Sequence, residues 1–416
     1  MTMAPSGRNI PAQTGPERLV PNPRAPVFGG PSSLIEALAP VLRQISDRAA
    51  EIETARAFPS DLLAKITETG FFRMALDPRY GGAGFALQDA LQVIEEIGKA
   101  DASSAWSLML AAESHLAWTR FPEPFLDEVY TGAEPPMTRA ALTPRGTMTR
   151  VEGGYRLNGQ WPLVSGSYPS DWFLVTGLVV DSEGRSQPNP DGAIEPILTA
   201  VPAADVEVLD TWHALGLRST ESHDIRFNDY FVPEGRTGYG SVLNKNSGPL
   251  GQIALGSALG TFHVGVVLGI ARGMLDELSV GSRQRKTLYA PTRFLAQSHL
   301  FQHRFAAMEV RLAAARAYAI SESRNLWERA RLGEDITTPM NVRHRAMVAH
   351  IHQECLAIAN DVFADAGTAV LFEGSSMQRR FRDMRAACQH VIASTDIFHG
   401  HGAFILEQEL ESWIRV

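Results

Sequence analysis

PLGQIALGSALGTFHVGVVLGIA, Pro249 to Ala271, is apolar and long enough to cross a bilayer, and how it is read decides the fold. Two features argue against a membrane span. The stretch holds Gln252 and His263 among many Gly and Ser, and no second segment like it occurs in the chain. A helix apolar on every side is also what the centre of a large helical bundle requires. The reading is therefore a buried core helix, with the small residues between Gly256 and Gly269 allowing neighbouring helices to approach closely.

Outward from that helix the periodicity changes twice. From Ser33 to Phe125 it is helical: Leu34, Leu38, Leu42 and Ile45 share a face, with Pro40 expected to kink or delay the helix. Pro59 opens the next helix, whose Leu62, Leu63 and Ile66 turn inward until Gly70; Leu87 to Ile97 and Ser103 to Trp118 continue the pattern. Between Pro136 and Pro233 the period falls to two. Tyr155, Leu157 and Trp161 alternate, as do Phe173 and Val175, with turns at Gly153-Gly154, Pro188 to Gly192 and Pro202. After Gly248 helices return, with stripes at Phe305, Met308, Leu312 and Ala315 and at Val348, Ile351, Cys355, Ile358 and Val362. Helices, strands, helices is an α+β, mainly α arrangement. The expected division is a flexible arm over 1–31, a helical domain over 32–135, a β domain over 136–235 and a helical bundle over 236–416.

Composition narrows the function. The 416 residues are 44% hydrophobic and carry a net charge of −8, which supplies ample core and no basic balance for nucleic acid. The first thirty residues, rich in Pro, Gly and Asn, lack the apolar run of a secretory signal. Cys355 and Cys388 are then expected to be thiols in a reducing cytoplasm. No Gly-x-Gly-x-x-Gly follows a strand, and neither a P-loop nor a Gly-x-Ser-x-Gly elbow occurs. His399 and His401 have no third ligand at convincing spacing, so no metal is expected. His350 and His352, two apart on a helix, do not face each other.

Five pieces in order carry a resemblance: PRYGGAGF (Pro78 to Phe85), DASSAW (Asp101 to Trp106), LNGQWPLVSG (Leu157 to Gly166), HALGLRSTESHDIRFNDYFVP (His213 to Pro233) and FQHRFAAMEVRLAAARAY (Phe301 to Tyr318). From about Ser33 to Glu411 the chain resembles the acyl-CoA dehydrogenase superfamily. The Asp-x-Ser-x-Ala-Trp run, the Trp-Pro-x-x-Ser-Gly strand and Arg382-Asp383 followed by His390 are similar to the oxygenase components of two-component flavin hydroxylases, the 4-hydroxyphenylacetate 3-hydroxylase type. Ser219 and Glu221 stand where that group usually has Gly, so the substrate-side loop is expected to differ.

The resemblance implies an N-terminal helical domain, a central β domain and a C-terminal four-helix bundle, assembled as a homotetramer. It also frames a choice of chemistry. A dehydrogenase needs a carboxylate to take the α-proton of a thioester, and losing such a base costs about 10²–10⁴-fold in rate. The two places where the family keeps it fall near Val391 and near Ala258, and no Asp or Glu occurs from Gly235 to Leu275. His390 stands in that neighbourhood instead, and an imidazole can give or take a proton near neutrality.

The implied activity is that of a monooxygenase. It would take reduced flavin (FMNH2 or FADH2) from a separate reductase, and O2, and hydroxylate an aromatic, phenolic substrate through a C4a-hydroperoxyflavin. By the same resemblance His390 and Ser165 are catalytic, and Ser165 and Trp161 meet the flavin. His115 and Thr143 contact the substrate, and Arg283 and Arg285 pair with flavin phosphate across a subunit boundary. Bland readings stand beside each: a core histidine, a turn serine, helix-surface polarity, a solvated charge run. Two rival functions are an acyl-CoA dehydrogenase-like flavoprotein with a non-carboxylate base and a non-catalytic helical scaffold.

Overall fold

A computed structural model describes residues 29–188, 194, 196–286 and 292–409. The arm expected over 1–31 therefore lies almost wholly outside the described residues, as do most of the turn expected at Pro188 to Gly192 and the last residues of the bundle expected to reach 416.

Five helices come first: α1 (Pro31–Ala55), α2 (Ser60–Glu68), α3 (Leu87–Ala100), α4 (Ala102–Trp118) and α5 (Glu123–Val129). The stripe Leu34, Leu38, Leu42, Ile45 is buried, as the spacing predicts. Pro40 does not delay α1, which starts at Pro31 and runs through it. Asp101 caps α4, its carboxylate accepting from Ser104 N (2.9 Å) and Ser104 Oγ (2.7 Å).

Seven strands follow: β1 (Thr138–Val151), β2 (Gly154–Val164), β3 (Trp172–Val180), β4 (Ile197–Pro202), β5 (Glu207–Leu209), β6 (His223–Pro233) and β7 (Thr237–Tyr239). They form one sheet in the order β5-β6-β2-β1-β3-β4-β7, antiparallel except for β1 beside β3. One face holds Tyr155, Leu157, Trp161, Phe173 and Val175 in a core of its own.

The chain then returns to helices: α6 (Gly248–Gly251), α7 (Leu255–Ser282), α8 (His299–Leu332), α9 (Thr338–Ala366), α10 (Ser376–Ala387) and α11 (Ile397–Ile405). The membrane-length stretch is α7, and 89% of its most apolar window is buried inside the protein. Its glycines explain how. A Cβ on Gly269 would stand 2.2 Å from Glu95 O and 2.8 Å from Gly98 Cα, so α3 and α7 meet backbone against backbone. The small residues serve packing within one chain. Cys355 and Cys388 are both free thiols.

Candidate active site

The sheet and the helices enclose a cavity of about 660 Å³. Its walls come from β1 (Leu142, Thr143), β3 (Thr176), α4 (Leu110, Glu113), α7 (Gly256, Leu259, His263) and α9 (Asn341, Arg345), and the segment His390 to Ile392 closes one side. Most of the lining is apolar, and its polar groups are few and clustered.

His390 follows the end of α10 and begins a short turn of helix over Val391–Ala393. Its Nδ1 accepts from Ile392 N at 3.2 Å, which leaves the proton of a neutral ring on Nε2. The ring stacks on that of His263, centroids 4.6 Å apart and 23° between planes. Trp106 meets both edge-on, at 4.8 Å from His263 and 5.5 Å from His390. The Trp of the DASSAW run thus wedges the two imidazoles in place. His263 Nε2 lies 3.3 Å from Glu113 Oε1, while Glu113 Oε2 and His263 Nδ1 are buried without partners.

Burial sets the protonation of this cluster. It pushes the Glu113 carboxyl well above the usual carboxylate range and strongly favours the neutral acid. Burial, reinforced by the Arg345 charge, pulls His263 down to about 3. Burial together with His263, His352 and Arg345 holds His390 well below the ordinary imidazole value. Both rings are held uncharged around neutrality, and burial of Glu113 favours a neutral acid beside His263 over an ion pair.

Of the residues expected in the site, His390 and Thr143 line this cavity together. Ser165 does not line it. It sits at the end of β2 with its Oγ 2.6 Å from Ser222 Oγ, which in turn lies 2.6 Å from Thr220 Oγ1, so three hydroxyls form a buried chain. His115 is not among the residues that line the cavity: it is buried, its Nδ1 2.9 Å from Tyr130 Oη, and burial lowers it to about 4. Trp161 does not line it either. Its ring is fully buried in the sheet's core, its Nε1 donates to Thr176 O at 2.8 Å, and neither ring face is open to a cofactor.

Arg283 is exposed just past α7 and donates to Ser279 Oγ at 3.2 Å. Arg285 is spent within the chain, donating to the carbonyl oxygens of Asp365 and Ala366 at the end of α9.

Glu113, His263, Trp106 and Arg345 are functional candidates that reasoning from sequence missed. For Glu113 a signal was present: it is the one acidic residue in ASSAWSLMLAAESHLAW, a helix buried at every position but Leu110. A carboxyl there must be neutral or paired.

Residues 37–120 match the acyl-CoA dehydrogenase N-terminal domain and residues 261–395 the C-terminal domain, together more than half of the chain. The indole-3-acetate monooxygenase of Pseudomonas putida is 26% identical over 94% of this chain and 98% of its own length. The oxygenase component of the p-hydroxyphenylacetate 3-hydroxylase of Acinetobacter baumannii is 26% identical over 88% of this chain and 86% of its own. Among solved structures, XiaF from Streptomyces sp., in complex with FADH2 and glycerol, superposes with a TM-score of 0.84 at 24% identity, covering 91% of this chain and 96% of that one.

Proposed function

Because the chain belongs to the acyl-CoA dehydrogenase superfamily and has its fold, we propose that it turns that fold to oxygen insertion. In this reading it is the oxygenase component of a two-component flavin-dependent monooxygenase. It takes FMNH2 or FADH2 from a separate reductase, and O2, and hydroxylates a small aromatic substrate. The relatives' names support the aromatic class, and FADH2 in the Streptomyces structure supports the cofactor.

The observation that carries the reading is the nature of the polar groups on the cavity. Abstracting an α-proton needs a general base, and the dehydrogenases that the chain resembles use an ionised carboxylate for it. Positions 258 and 391 are Ala and Val, and among the described residues the one carboxyl on the cavity, Glu113, is held toward its neutral acid beside His263. What faces the cavity instead is a neutral imidazole with its proton on Nε2. Such a group donates a hydrogen bond from Nε2 to a developing oxyanion without any prior change of its own charge.

The cavity fits a bound heterocycle and arene. Its volume falls within the range of about 300–1,000 Å³ typical of small-molecule sites. Thr176 Oγ1, Glu113 Oε2 and His263 Nδ1 are buried polar atoms without a protein partner, carried by side chains that line the cavity. Each costs about 1–3 kcal/mol when left unpaired, so rotation of these side chains toward a polar ligand is favoured. Bound reduced flavin supplies the two electrons that activate O2 for insertion of one oxygen atom.

The protein's part is orientation and exclusion. His390 holds its proton at Nε2 and presents it as a hydrogen-bond donor to the reacting oxygen. Thr143 offers its hydroxyl to the substrate. Ser165, off this cavity's wall with its hydroxyl joined to Ser222, is kept in this reading as the contact for a part of the flavin that extends past the cavity. Leu110, Leu142 and Leu259 keep the site dry. In the same reading the enzyme is a cytoplasmic homotetramer. Arg283, rather than the committed Arg285, has donors left for a flavin phosphate from a neighbouring subunit.

The test is to mix the protein with photoreduced FMN or FAD and ¹⁸O2 in the presence of simple phenols and arylacetates. A product carrying one ¹⁸O atom is expected. Dye reduction by an acyl-CoA with oxidised FAD, and no labelled product, would refute the reading.

A further inference from the structure

Arg345 is a cation on the cavity wall with no acidic partner among the described residues, in a protein whose neighbouring arginines are committed. On α8 and α9, Arg316 meets Glu95 at 2.7 Å, Arg343 meets Glu322 at 2.5 Å and Arg311 meets Asp361 at 2.7 Å. Arg345 makes no such pair, and its Nε is buried without an acceptor. An ideal Cβ on Gly256 would stand 2.5 Å from Arg345 Nη1, so the guanidinium lies directly on the backbone of the first turn of α7.

That turn is itself positive. The N–H groups of Leu255 and Gly256 have no intrahelical acceptor, and the N-cap residue Ala254 has no side chain to receive them. All three residues line the cavity. The N-terminus of a long helix carries roughly half a positive charge. A guanidinium and a helix N-terminus pressed together, both facing one cavity, are mutually repulsive until an anion sits between them. Burial pulls the Arg345 pKa down, and no acidic neighbour opposes it.

We infer that this corner of the cavity receives an acidic group of the substrate, so that the arene hydroxylated here is an aromatic acid bound by its carboxylate to Arg345 and the N-terminal turn of α7. The inference rests on the monooxygenase reading of the same cavity and narrows its substrate class. Arg suits the task because its planar fork matches a carboxylate. Asn341, one turn before Arg345 on α9 and also on the cavity, accepts from Ser257 Oγ at 2.9 Å and so fixes the wall beside the guanidinium. A ring tethered at that corner stays in the cavity that His390 lines. The tether selects for the acid over its neutral analogues because a carboxylate replaces the hydration the guanidinium gave up, and an amide of the same shape does not.

The experiment measures binding without flavin or turnover, by calorimetry, for phenylacetate, phenylacetamide, inorganic phosphate and FMN. Phenylacetate is expected to bind about 10- to 100-fold more tightly than phenylacetamide, the ratio a charge-assisted hydrogen bond supplies. Arg345→Gln is expected to erase that ratio, and Arg345→Lys to restore part of it. Gly256→Ala, which displaces the guanidinium without removing it, is expected to reduce the ratio and covers the case in which Arg345→Gln fails to fold.

Equal binding of acid and amide to the wild type overturns the inference, as does a preference that survives Arg345→Gln. Weakened FMN and phosphate binding with phenylacetate unchanged also overturns it, by assigning Arg345 to the flavin phosphate. Absence of an acid preference in the wild type alongside intact ¹⁸O incorporation sinks this inference alone. Intact acid preference with no oxygen incorporation sinks the monooxygenase reading alone.

Discussion

Glu113→Gln separates a neutral buried acid from a working carboxylate, and its signature lies in how stability varies with pH. In the folded protein burial raises the Glu113 pKa well above its ordinary 4.5. A group with a raised folded pKa contributes stability that is fully present below the unfolded value. That stability is lost as pH rises toward the folded value, because the unfolded chain releases the proton first. The slope is one proton, about 1.4 kcal/mol per pH unit. Glutamine has the same shape, keeps a donor and an acceptor for His263, and has no such slope.

Wild type alone will not display it, because His263, His344, His352 and His390 are buried with lowered pKa values and act in the opposite sense. Their stability is present above the unfolded imidazole value and is lost as pH falls. Subtracting wild type from variant cancels the histidines. The difference in unfolding free energy, Glu113→Gln minus wild type, should therefore grow by about 1.4 kcal/mol per unit from pH 5 upward until the folded pKa is reached. For a chain of this size that is roughly 1–2 °C in melting temperature per pH unit. Thermal melts of both proteins in steps from pH 5 to 8, at matched ionic strength, measure it. A difference that stays flat or shrinks as pH rises would mean that Glu113 is ionised against a protonated His263. The argument that no carboxylate base is available here would then fail.

The other predictions concern the proton, the flavin contact and the helix crossing. His390→Ala should keep reduced-flavin binding while product falls by about 10²–10⁴-fold, the range for a lost acid–base group, and hydrogen peroxide takes its place; near wild-type hydroxylation would remove His390 from the chemistry. Ser165→Ala should leave the fold intact and raise the peroxide-to-product ratio, measured by peroxidase-coupled assay, and an unchanged ratio would remove it from the flavin contact. Gly269→Ala forces a Cβ to within 2.2 Å of Glu95 O, and that crossing cannot yield without separating α3 from α7. A loss of about 1–3 kcal/mol or more is expected in thermal unfolding, against little change for Gly281→Ala, where nothing stands in the way.

How much of this was legible beforehand follows from whether an element has a polar and an apolar side. The strands over 138–239 alternate, so Tyr155, Leu157, Phe173 and Val175 fell inward as the period-two pattern predicts. The stripe of α9 did the same: Val348, Ile351, Cys355, Ile358 and Val362 are all fully buried. Trp161 shows the limit of the method. Its alternation predicts a core position, which is where the structure has it, while the flavin contact that the resemblance implies cannot be read from periodicity at all.

The site itself was hidden because the two helices that build it, α4 and α7, are apolar all round. With no amphipathic phase, nothing in ASSAWSLMLAAESHLAW says which residue faces the cavity. His115 was chosen on its chemistry, yet it lies two positions past Glu113, about 200° around a helix, so at most one of the two can face a given wall. The wall fell to Glu113. The same reasoning explains His263, which served as an argument against a membrane span before it emerged beside His390. In a helix buried on every side each polar residue carries a desolvation cost on whichever face it lies, so it persists only where a partner or a ligand offsets that cost. Glu113 and His263 offset each other in part, and the atoms each leaves unpaired, Oε2 and Nδ1, belong to side chains on the cavity wall. A bound molecule that satisfies them completes the accounting that the protein alone leaves open.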